Sequence, residues 1–309
     1  MTSTAKNQMF IILNPVAGKG KALRERTKIE HFLENHQVPY TLVLTKKPGD
    51  ALTIARECSL DAETMVVAAG GDGTSNEVAN GLIGRHLPAP PLFGVLPVGR
   101  GNDFAFNAGV PPDLEKALNL LINRKTKDLD AGFVKGGFFP DGRYFINGVG
   151  MGFDTKVGFE AAKMKIQSGF SYILGALITL KRFEPGPLVE IRYGDTLVCL
   201  RTVLISVVNG RRMGGTFIVG PHAIINDGLL DLCFVEQTKT RRRLLQIVLQ
   251  YTKGTQGTSP EVTMDRATDV HILAKEGTIA AHCDGETVCY EGTELNITIV
   301  PKALRLLCE

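Results

Sequence analysis

Two kinds of apolar pattern alternate along the first part of the chain. Short continuous apolar runs suit buried strands, and segments with apolar residues every three or four positions suit amphipathic helices. The predicted strands are Met9–Leu13, Tyr40–Leu44, Met65–Ala69 and Leu92–Leu96. The predicted helices are Ala22–Asn35, with an apolar face at Leu23, Ile29 and Leu33, and then Asp50–Glu57, Ser75–Ile83 and Leu114–Leu121. Strands that alternate with helices in this way predict a mostly parallel sheet with helices packed on its faces.

The pattern changes near Gly132, after which apolar and polar residues alternate by twos. Leu188–Arg192 is an example, and Gly-Asp and Asp-Gly pairs suited to tight turns separate such runs. Two predicted helices interrupt them, one around Lys156–Phe183 and a shorter one at Arg242–Tyr251. This part therefore predicts a second, antiparallel β domain, and the glycine-rich junction at Ala131–Gly142 suits a hinge.

The length of the chain leaves room for both domains. With 309 residues and 44% hydrophobic content, the chain can build two cores of ordinary size. We expect the α/β domain to cover residues 1–133 and the β domain residues 134–296. We expect residues 297–309 to return to the first domain.

The charge of the chain argues against nucleic acid as a partner, because the formal net charge is only +3. Basic residues do cluster, at Lys181–Arg182, Arg211–Arg212 and Arg241–Arg243. Each cluster is compatible with an anionic membrane surface, although ordinary solvated surface is the favoured interpretation for any single cluster.

Cysteine usage and hydropathy indicate the compartment. The six cysteines are scattered without metal-ligand spacing, and the N-terminus has no apolar signal core, which favours the reducing cytosol. The longest apolar segment, Phe170–Leu180, is shorter than the roughly 20 residues that span a bilayer, and Lys165 and Lys181 bracket it. We therefore expect a cytoplasmic protein that meets the inner face of the membrane only as a peripheral, transient contact.

The stretch Val66–Glu77, VVAAGGDGTSNE, joins a predicted strand to a predicted helix through a glycine-rich loop. Thr74 and Glu77 have the spacing of a capping box, which predicts a helix N-terminus directly after the loop. Such a terminus offers backbone N–H groups and a partial positive charge to a phosphate. Asp72 would repel a phosphate unless a cation lay between them, so it favours Mg²⁺ as well. The alternative, that Asp72 only ties the loop of a strand–helix turn, stays open.

Three loops of similar composition follow the first, third and fourth predicted strands. They are Asn14–Gly20, Gly70–Thr74 and Pro97–Asp103, and all are rich in Gly, Asn or Asp. In a parallel sheet such loops leave from the carboxyl ends of the strands, where open α/β sheets bind ligands. The glycine-rich loop matches neither the Rossmann fingerprint nor the P-loop, so a different nucleotide-binding fold is needed.

These loops carry the motifs NPxxGxG, GGDGTxNE and LPxGxxNDFA, in this order. They resemble the catalytic domain of diacylglycerol kinases, a domain that bacterial lipid kinases and sphingosine and ceramide kinases share. The order of these motifs and the compact length of the chain are most similar to those of the bacterial single-chain lipid kinases. The resemblance continues through the second half of the chain, at Val208–Gly210, Ile225–Asp231, Cys283–Glu286 and Ile299–Leu304.

The resemblance implies an ATP-dependent transfer of the γ-phosphoryl group to a lipid hydroxyl. It implies an N-terminal NAD-kinase-like α/β domain, a C-terminal antiparallel β-sandwich, and a nucleotide held in the cleft between them. Similar sequences carry threonine where Arg100 stands, so Arg100 either pairs with phosphate or points to solvent. The implied nucleotide contacts are Asn14, Thr45, Gly70, Gly71, Asp72, Gly73, Thr74, Ser75, Asn76, Arg100 and Asn102.

Two late carboxylates are the candidate catalytic groups. Asp284 and Glu286 are two positions apart, so in a strand they would point to one face, although Asp-Gly is also a strong hairpin signal. Within the resemblance, one of them accepts the proton of the acceptor hydroxyl, and Asp284 is the first choice. The resemblance also implies a structural Mg²⁺ bound by Asp227 and by the backbone carbonyls of Ile224 and Leu229.

Two other functions remain open on the sequence. One is a kinase for a soluble acceptor, such as NAD kinase, which shares a GGDG loop on a similar fold. The other is a nucleotide-binding regulator without catalytic activity. The sequence does not name the acceptor lipid alcohol and leaves a homodimer open. Phe170–Leu180 suits either an acceptor pocket or an ordinary core helix.

Overall fold

The computed structural model describes residues 8–61, 63–85, 87–153, 155 and 185–308. The predicted helix around Lys156–Phe183, with its apolar segment Phe170–Leu180, lies outside the described residues. The chain divides into two compact units. The first unit consists of Met1–Asp130 and Pro301–Glu309, and the second of Ala131–Val300.

A parallel sheet forms the centre of the first unit. Its strands lie in the order β17, β4, β3, β1, β2, and each neighbouring pair is parallel. Every residue of β3 and β4 is buried, which is the burial expected of strands covered on both faces. The strands are β1 (Met9–Leu13), β2 (Tyr40–Leu44), β3 (Met65–Gly70), β4 (Leu92–Pro97) and the end of β17 (Glu294–Leu307). The predicted α/β class with a mostly parallel sheet is confirmed.

The described part of the first unit has five helices, of which the first and the third begin earlier than the sequence pattern predicts. They are α1 (Ala17–Asn35), α2 (Asp50–Glu57), α3 (Asp72–Ile83), α4 (Asp103–Asn107) and α5 (Leu114–Asn123). Gly18, Lys19 and Gly20 adopt left-handed backbone conformations inside α1. The predicted apolar face of α1 is partly wrong, because Ala22, Ile29 and Leu33 are buried whereas Leu23 is 47% exposed.

Antiparallel strands form the second unit. They are β5 (Thr126–Gly136, which starts in the first unit), β6 (Phe139–Phe145), β7 (Gly148–Gly152), β8 (Leu188–Tyr193), β9 (Thr196–Val208), β10 (Arg212–Met213), β11 (Phe217–Ile218), β12 (Leu230–Glu236), β13 (Val262–Ala267), β14 (Asp269–Glu276), β15 (Ile279–Cys283), β16 (Glu286–Gly292) and the first part of β17. Within the predicted hinge segment Ala131–Gly142, β5 and β6 pair with each other, so most of the segment is strand, and the hinge stays a prediction.

The long strand β9 belongs to two layers of the second unit. Its first half pairs with β8, and its second half pairs with β7 and β12. Side chains from both layers meet in one core, as Ile191, Val207, Phe234 and Ile272 illustrate. Two layers with a shared apolar interior make a β-sandwich, as predicted.

One helix, α6 (Arg241–Tyr251), packs on the second layer. Leu244, Ile247 and Tyr251 are buried in a separate apolar cluster together with residues of β9 and β12. Among the described residues, no helix is both long and apolar enough to cross a membrane.

Candidate functional site

Three loops of the first unit pack backbone against backbone. Strands β1, β3 and β4 are neighbours in the parallel sheet, so the loops that follow them lie side by side at its carboxyl edge. A Cβ on Gly18 would lie 2.6 Å from the carbonyl oxygen of Val98, and a Cβ on Gly99 would overlap the backbone of Gly71. Glycine is therefore required at positions 18 and 99, where backbone lies directly against backbone.

The segment Gly70–Asn76 joins β3 to α3. Thr74, Ser75 and Asn76 are buried in the first turns of α3, and the side-chain amide of Asn14 donates to Thr74 Oγ1 at 3.2 Å. The first turn of a helix presents backbone N–H groups that have no intrahelical acceptor. With the helix dipole, these groups make the start of α3 suited to phosphate.

The predicted capping box is wrong. Helix α3 begins at Asp72, with Gly71 as N-cap and no side-chain cap. The carboxylate of Glu77 accepts the N–H groups of Gly49 at 3.0 Å and Ala51 at 3.1 Å, so it caps α2 instead. A helix that starts three residues earlier than predicted moves Glu77 out of reach of the N-cap.

Asp72 ties two of the loops together. Its Oδ1 accepts the N–H of Phe104 at 2.9 Å, at the start of α4. A Cβ on Gly101 would lie 2.9 Å from Asp72 Oδ2, so the loop passes close to the carboxylate. The loop-stabilising hydrogen bond, which the sequence left open as an alternative role for Asp72, is therefore present. The same geometry holds a negative charge beside the glycine-lined edge, where a nucleotide-bound Mg²⁺ would need an oxygen ligand.

Asn102 holds the loop after β4 in shape. It has a left-handed backbone (φ 51°, ψ 42°), which asparagine tolerates better than most residues. Its side-chain amide donates to the carbonyl oxygens of Pro97 at 3.2 Å and Gly99 at 3.3 Å.

Two further predicted nucleotide contacts are Arg100 and Thr45. Arg100 is exposed. Thr45 follows β2, and its N–H donates to Leu13 O at 3.0 Å, which places it next to Asn14 at the same edge.

The carboxylates Asp284 and Glu286 lie in the second unit, on either side of a tight turn. Asp284 and Gly285 both have positive φ, 46° and 87°, and connect β15 to β16. This is the backbone of a type I′ hairpin turn. Of the two arrangements that the sequence left open, a shared strand and a hairpin turn, the structure has the turn, and only Glu286 lies in a strand.

Backbone N–H groups surround the carboxylate of Asp284. Ile146 and Gly148 donate to it at 2.8 Å each, and Asn147 donates at 3.1 Å. Asn147 also accepts, through its carbonyl oxygen, the N–H of Asn209 at 2.7 Å. Charge-assisted hydrogen bonds of this number fix the orientation of a carboxylate and compensate its charge.

Glu286 has a charged partner, Arg143 on β6. Arg143 Nη2 lies 2.7 Å from Glu286 Oε1, and the guanidinium carbon lies 5.7 Å from the centre of the Phe139 ring. The Arg143 side chain is only 15% exposed. Sequence reasoning missed Arg143 because a single arginine in a strand gives no signal of its partner.

Asp227 is held by two groups of the second unit. Its Oδ1 accepts the N–H of Leu229 at 3.1 Å, and its Oδ2 lies 3.4 Å from Arg266 Nη1. Burial raises the pKa of the neighbouring Asp231, against the opposing effect of Arg266. Ile224 is 50% exposed. A Mg²⁺ bound here would have to displace the positive charge of Arg266, so this donor set suits the ion poorly, and the Mg²⁺ site stays a prediction.

An apolar cavity of about 40 Å³ lies between α6 and the sheet of the second unit. Within the described part of the chain its lining is apolar except for Ser206 and the hydroxyl of Tyr251. Ser206 is 1% exposed and its Oγ has no hydrogen-bond partner there. A buried hydroxyl without a partner is costly, so the cavity offers a polar group to whatever enters it. The lining residues are Phe153, Leu204, Ser206, Met213, Phe217, Val219, Val235, Leu244, Ile247, Val248 and Tyr251.

Comparisons with known proteins match both halves of the chain. Residues 8–134 match the model of the diacylglycerol kinase catalytic domain, and residues 147–308 match the YegS C-terminal NAD kinase beta sandwich-like domain. A protein of Enterobacter sp. (strain 638) named "Probable lipid kinase YegS-like" is 34% identical over 305 residues, which covers 96% of this chain and 94% of that protein. "Probable lipid kinase YegS" of Salmonella gallinarum is 33% identical with the same coverage. The chain belongs to the YegS-like kinase family.

Solved structures agree with this membership. The solved structure of "a putative diacylglycerol kinase" from Bacillus anthracis str. Sterne has a TM-score of 0.79 to this chain, with 27% identity and 99% of each chain covered. Yeast NADH kinase has a TM-score of 0.50 and 9% identity, and it covers 100% of this chain and 88% of its own. The second similarity concerns the fold alone.

The two family models divide the candidate residues between them. The three glycine-containing loops and Asp72 lie in the segment matched by the catalytic-domain model. Asp227, Asp284 and Glu286 lie in the segment matched by the YegS C-terminal model. As a member of this family, the chain is a phosphotransferase of the kinase class.

Proposed function

We propose that the protein is an ATP-dependent lipid kinase that transfers the γ-phosphoryl group of ATP to the hydroxyl of a lipid alcohol such as a diacylglycerol. The observation that carries the proposal is the meeting of three glycine-containing loops at the start of α3, with the carboxylate of Asp72 beside them. This combination suits the phosphates of a nucleotide together with Mg²⁺. The names of the YegS relatives support a lipid as acceptor.

The donor side of the reaction depends on backbone groups. The implied contacts Asn14, Thr45, Gly70–Asn76, Arg100 and Asn102 would hold ATP. Bound Mg²⁺ would neutralise charge on the phosphates, and Asp72 is the carboxylate placed to hold it. The closeness of Gly71 and Gly99 leaves no room for side chains that would keep phosphate away from the backbone.

On the acceptor side, Asp284 is the proposed proton acceptor. The acceptor oxygen forms a bond to the γ-phosphorus as the bond to the ADP oxygen breaks, and the hydroxyl proton passes to the Asp284 carboxylate. Phosphoryl transfer depends on positioning more than on base strength. The three backbone N–H donors hold Asp284 in one orientation, and Arg143 does the same for Glu286.

The apolar cavity beside α6 supports a lipid acceptor. Its lining suits part of a hydrocarbon chain, and the hydroxyl of Ser206 suits an oxygen of the same molecule. A hydrocarbon chain leaves water favourably for such a lining. We expect the enzyme to act on membrane lipids at the cytoplasmic face.

Release of ADP from Mg-ATP tests the proposal, with purified protein and mixed micelles that each contain one lipid alcohol. We expect turnover on at least one lipid. We expect Asp284→Asn to lower that turnover by roughly 10²- to 10⁴-fold, the usual scale for a general base.

Two results would contradict the proposal. Phosphorylation of NAD without turnover on any lipid would make the protein a kinase for a soluble acceptor. Binding of ATP without ADP release on any acceptor would make it a regulator. Near-normal turnover of a correctly folded Asp284→Asn protein would remove Asp284 from the mechanism and leave Glu286 as the candidate.

A further inference from the structure

The outer face of α6 combines arginine with leucine. Leu244, Ile247 and Tyr251 form the buried face of this helix. Arg242, Leu245 and Leu249 follow the opposite stripe, at the spacing of three and four residues that places side chains on one helix face. Arg242 is exposed, Leu245 is half-buried, and Leu249 is 54% exposed. The helix is therefore apolar on its inner face and mixed basic and apolar on its outer face.

The segment that contains α6 is the most one-sided in charge of the second unit. Residues 237–260 include no Asp and no Glu. Their five basic residues exceed the formal net charge of the whole chain, which is +3. They are Lys239, Arg241, Arg242, Arg243 and Lys253.

The arginines oppose the dipole of their own helix. Arg241, Arg242 and Arg243 occupy its first turn, which contains no acidic residue. Positive charge at a helix N-terminus is unfavourable. Glu261 compensates Arg243 through two hydrogen bonds of 2.8 and 2.7 Å. Arg241 and Arg242 are exposed and form no ion pair within the described ranges. No acidic side chain there therefore offsets the unfavourable interaction of these two charges with the helix dipole.

We propose that the outer face of α6, with Lys239, Arg241, Arg242, Leu245 and Leu249, docks the protein on an anionic lipid bilayer. The arginines and Lys239 meet lipid phosphates, and the two leucines enter the boundary between headgroups and acyl chains. Basic and apolar groups on one short helix face have this effect in peripheral membrane proteins. The charge of the segment disfavours a basic partner, and the exposed Leu249 next to the half-buried Leu245 favours a surface with an apolar interior.

The docking face and the apolar cavity use opposite sides of the same helix. Leu244, Ile247 and Tyr251 line the cavity, and the docking residues lie on the outer stripe of α6. Docking would therefore place the cavity, on the inner side of α6, close to the surface of the bilayer. In this respect the inference rests on the proposed lipid kinase function, since a kinase for a soluble acceptor has no need of the bilayer.

Cosedimentation of the full-length protein with vesicles tests the docking face in the absence of ATP. One vesicle set contains phosphatidylcholine with phosphatidylglycerol, and the other contains phosphatidylcholine alone. We expect the double variant Arg241→Gln/Arg242→Gln to bind the anionic vesicles about 30-fold more weakly, since each basic residue near a membrane contributes about 5-fold. Leu249→Gln should weaken binding as well, and added salt should weaken binding of the wild type.

The matched control is Arg192→Gln/Lys275→Gln, which removes the same charge from β8 and β14. Both side chains are exposed and lie near Glu190. We expect this control to bind anionic vesicles like the wild type. Thermal unfolding checks the fold of all variants, and loss of Arg241 and Arg242 should not lower the melting temperature because both oppose the helix dipole.

Unchanged binding of Arg241→Gln/Arg242→Gln to anionic vesicles would overturn the proposal. Equal losses in the double variant and in its control would do the same, because net charge and not α6 would then explain binding. Binding of duplex DNA that depends on the two arginines, with vesicle binding unchanged, would replace the bilayer by nucleic acid. Turnover in neutral detergent micelles separates the two claims. If Arg241→Gln/Arg242→Gln loses vesicle binding while neither the wild type nor any variant turns over lipid, the docking face is supported and the proposed kinase function is contradicted.

Discussion

Arg143 illustrates how a residue without a sequence signal supports the candidate site. Its guanidinium lies 2.7 Å from Glu286 and above the ring of Phe139. The two charged residues are 143 positions apart in the chain, so no local pattern could have paired them. The same holds for Asp284, whose backbone donors at Ile146, Asn147 and Gly148 lie about as far away in sequence. The sequence identified the carboxylates, and folding supplies the groups that orient them.

Replacement of Arg143 by methionine tests its role as a positioning residue. The variant leaves a partly buried Glu286 without its cation, so we expect the free energy of unfolding to fall by about 1–3 kcal/mol. We also expect lower turnover on the lipid acceptor with little change in the KM for ATP. Urea unfolding and steady-state kinetics measure the two effects.

Arg143→Lys is the matched control, because it keeps a positive charge near Glu286 but loses the planar contact with Phe139. We expect it to recover part of the turnover lost in Arg143→Met. Equal turnover in the wild type and in Arg143→Met would show that Glu286 needs no partner. Equal losses of turnover in Arg143→Met and Arg143→Lys would show that the packing of the Arg143 guanidinium matters more than its charge.

At the scale of elements, the predictions succeeded where apolar periodicity decides the structure. The strands Met9–Leu13 and Tyr40–Leu44 and the helix Asp50–Glu57 have the bounds that the sequence pattern gave. The pattern failed next to the glycine-rich loops, where α1 and α3 begin early and α4 was missed. Glycine disfavours helix locally. Packing of the loops against one another supports the first turn of α3, whereas Gly18, Lys19 and Gly20 keep left-handed backbone conformations inside α1. The errors therefore concentrate at the candidate nucleotide site.

Gly99→Ala tests the packing of the loops after β3 and β4. A Cβ on Gly99 would overlap the backbone of Gly71, which cannot move aside as a flexible side chain could. We expect the free energy of unfolding to fall by about 1–3 kcal/mol or more, as for other overpacked sites. We also expect weaker ATP binding.

Gly73→Ala is the control for this test, because nothing lies within 4 Å of a Cβ at that position. Alanine is favoured over glycine in a helix, so the free energy of unfolding of Gly73→Ala should equal or exceed that of the wild type. Chemical denaturation of the three proteins measures the difference. Equal stability of Gly99→Ala and the wild type would contradict the close approach of the two loops.

At the scale of the whole molecule, the two units contribute different parts of the proposed chemistry. The first unit has the glycine-lined edge and Asp72. The second unit has Asp284, Glu286, the apolar cavity and α6. Alternation of strands and helices in one half and of apolar and polar residues in the other predicted the two fold classes. The sequence could not show the cavity, since its lining comes from Phe153, from strands β9 to β12 and from α6, which only the fold brings together.

The most direct measurement follows the γ-phosphoryl group itself. The protein is incubated with ATP labelled at the γ-phosphorus, Mg²⁺ and lipid alcohol in micelles, and the label is then extracted into an organic phase. We predict label in a phosphorylated lipid and none when Mg²⁺ is chelated. With Asp284→Asn in place of the wild type, we predict that label appears roughly 10²- to 10⁴-fold more slowly. Label that stays in the aqueous phase, as inorganic phosphate or as phosphorylated NAD, would contradict the assignment of a lipid acceptor.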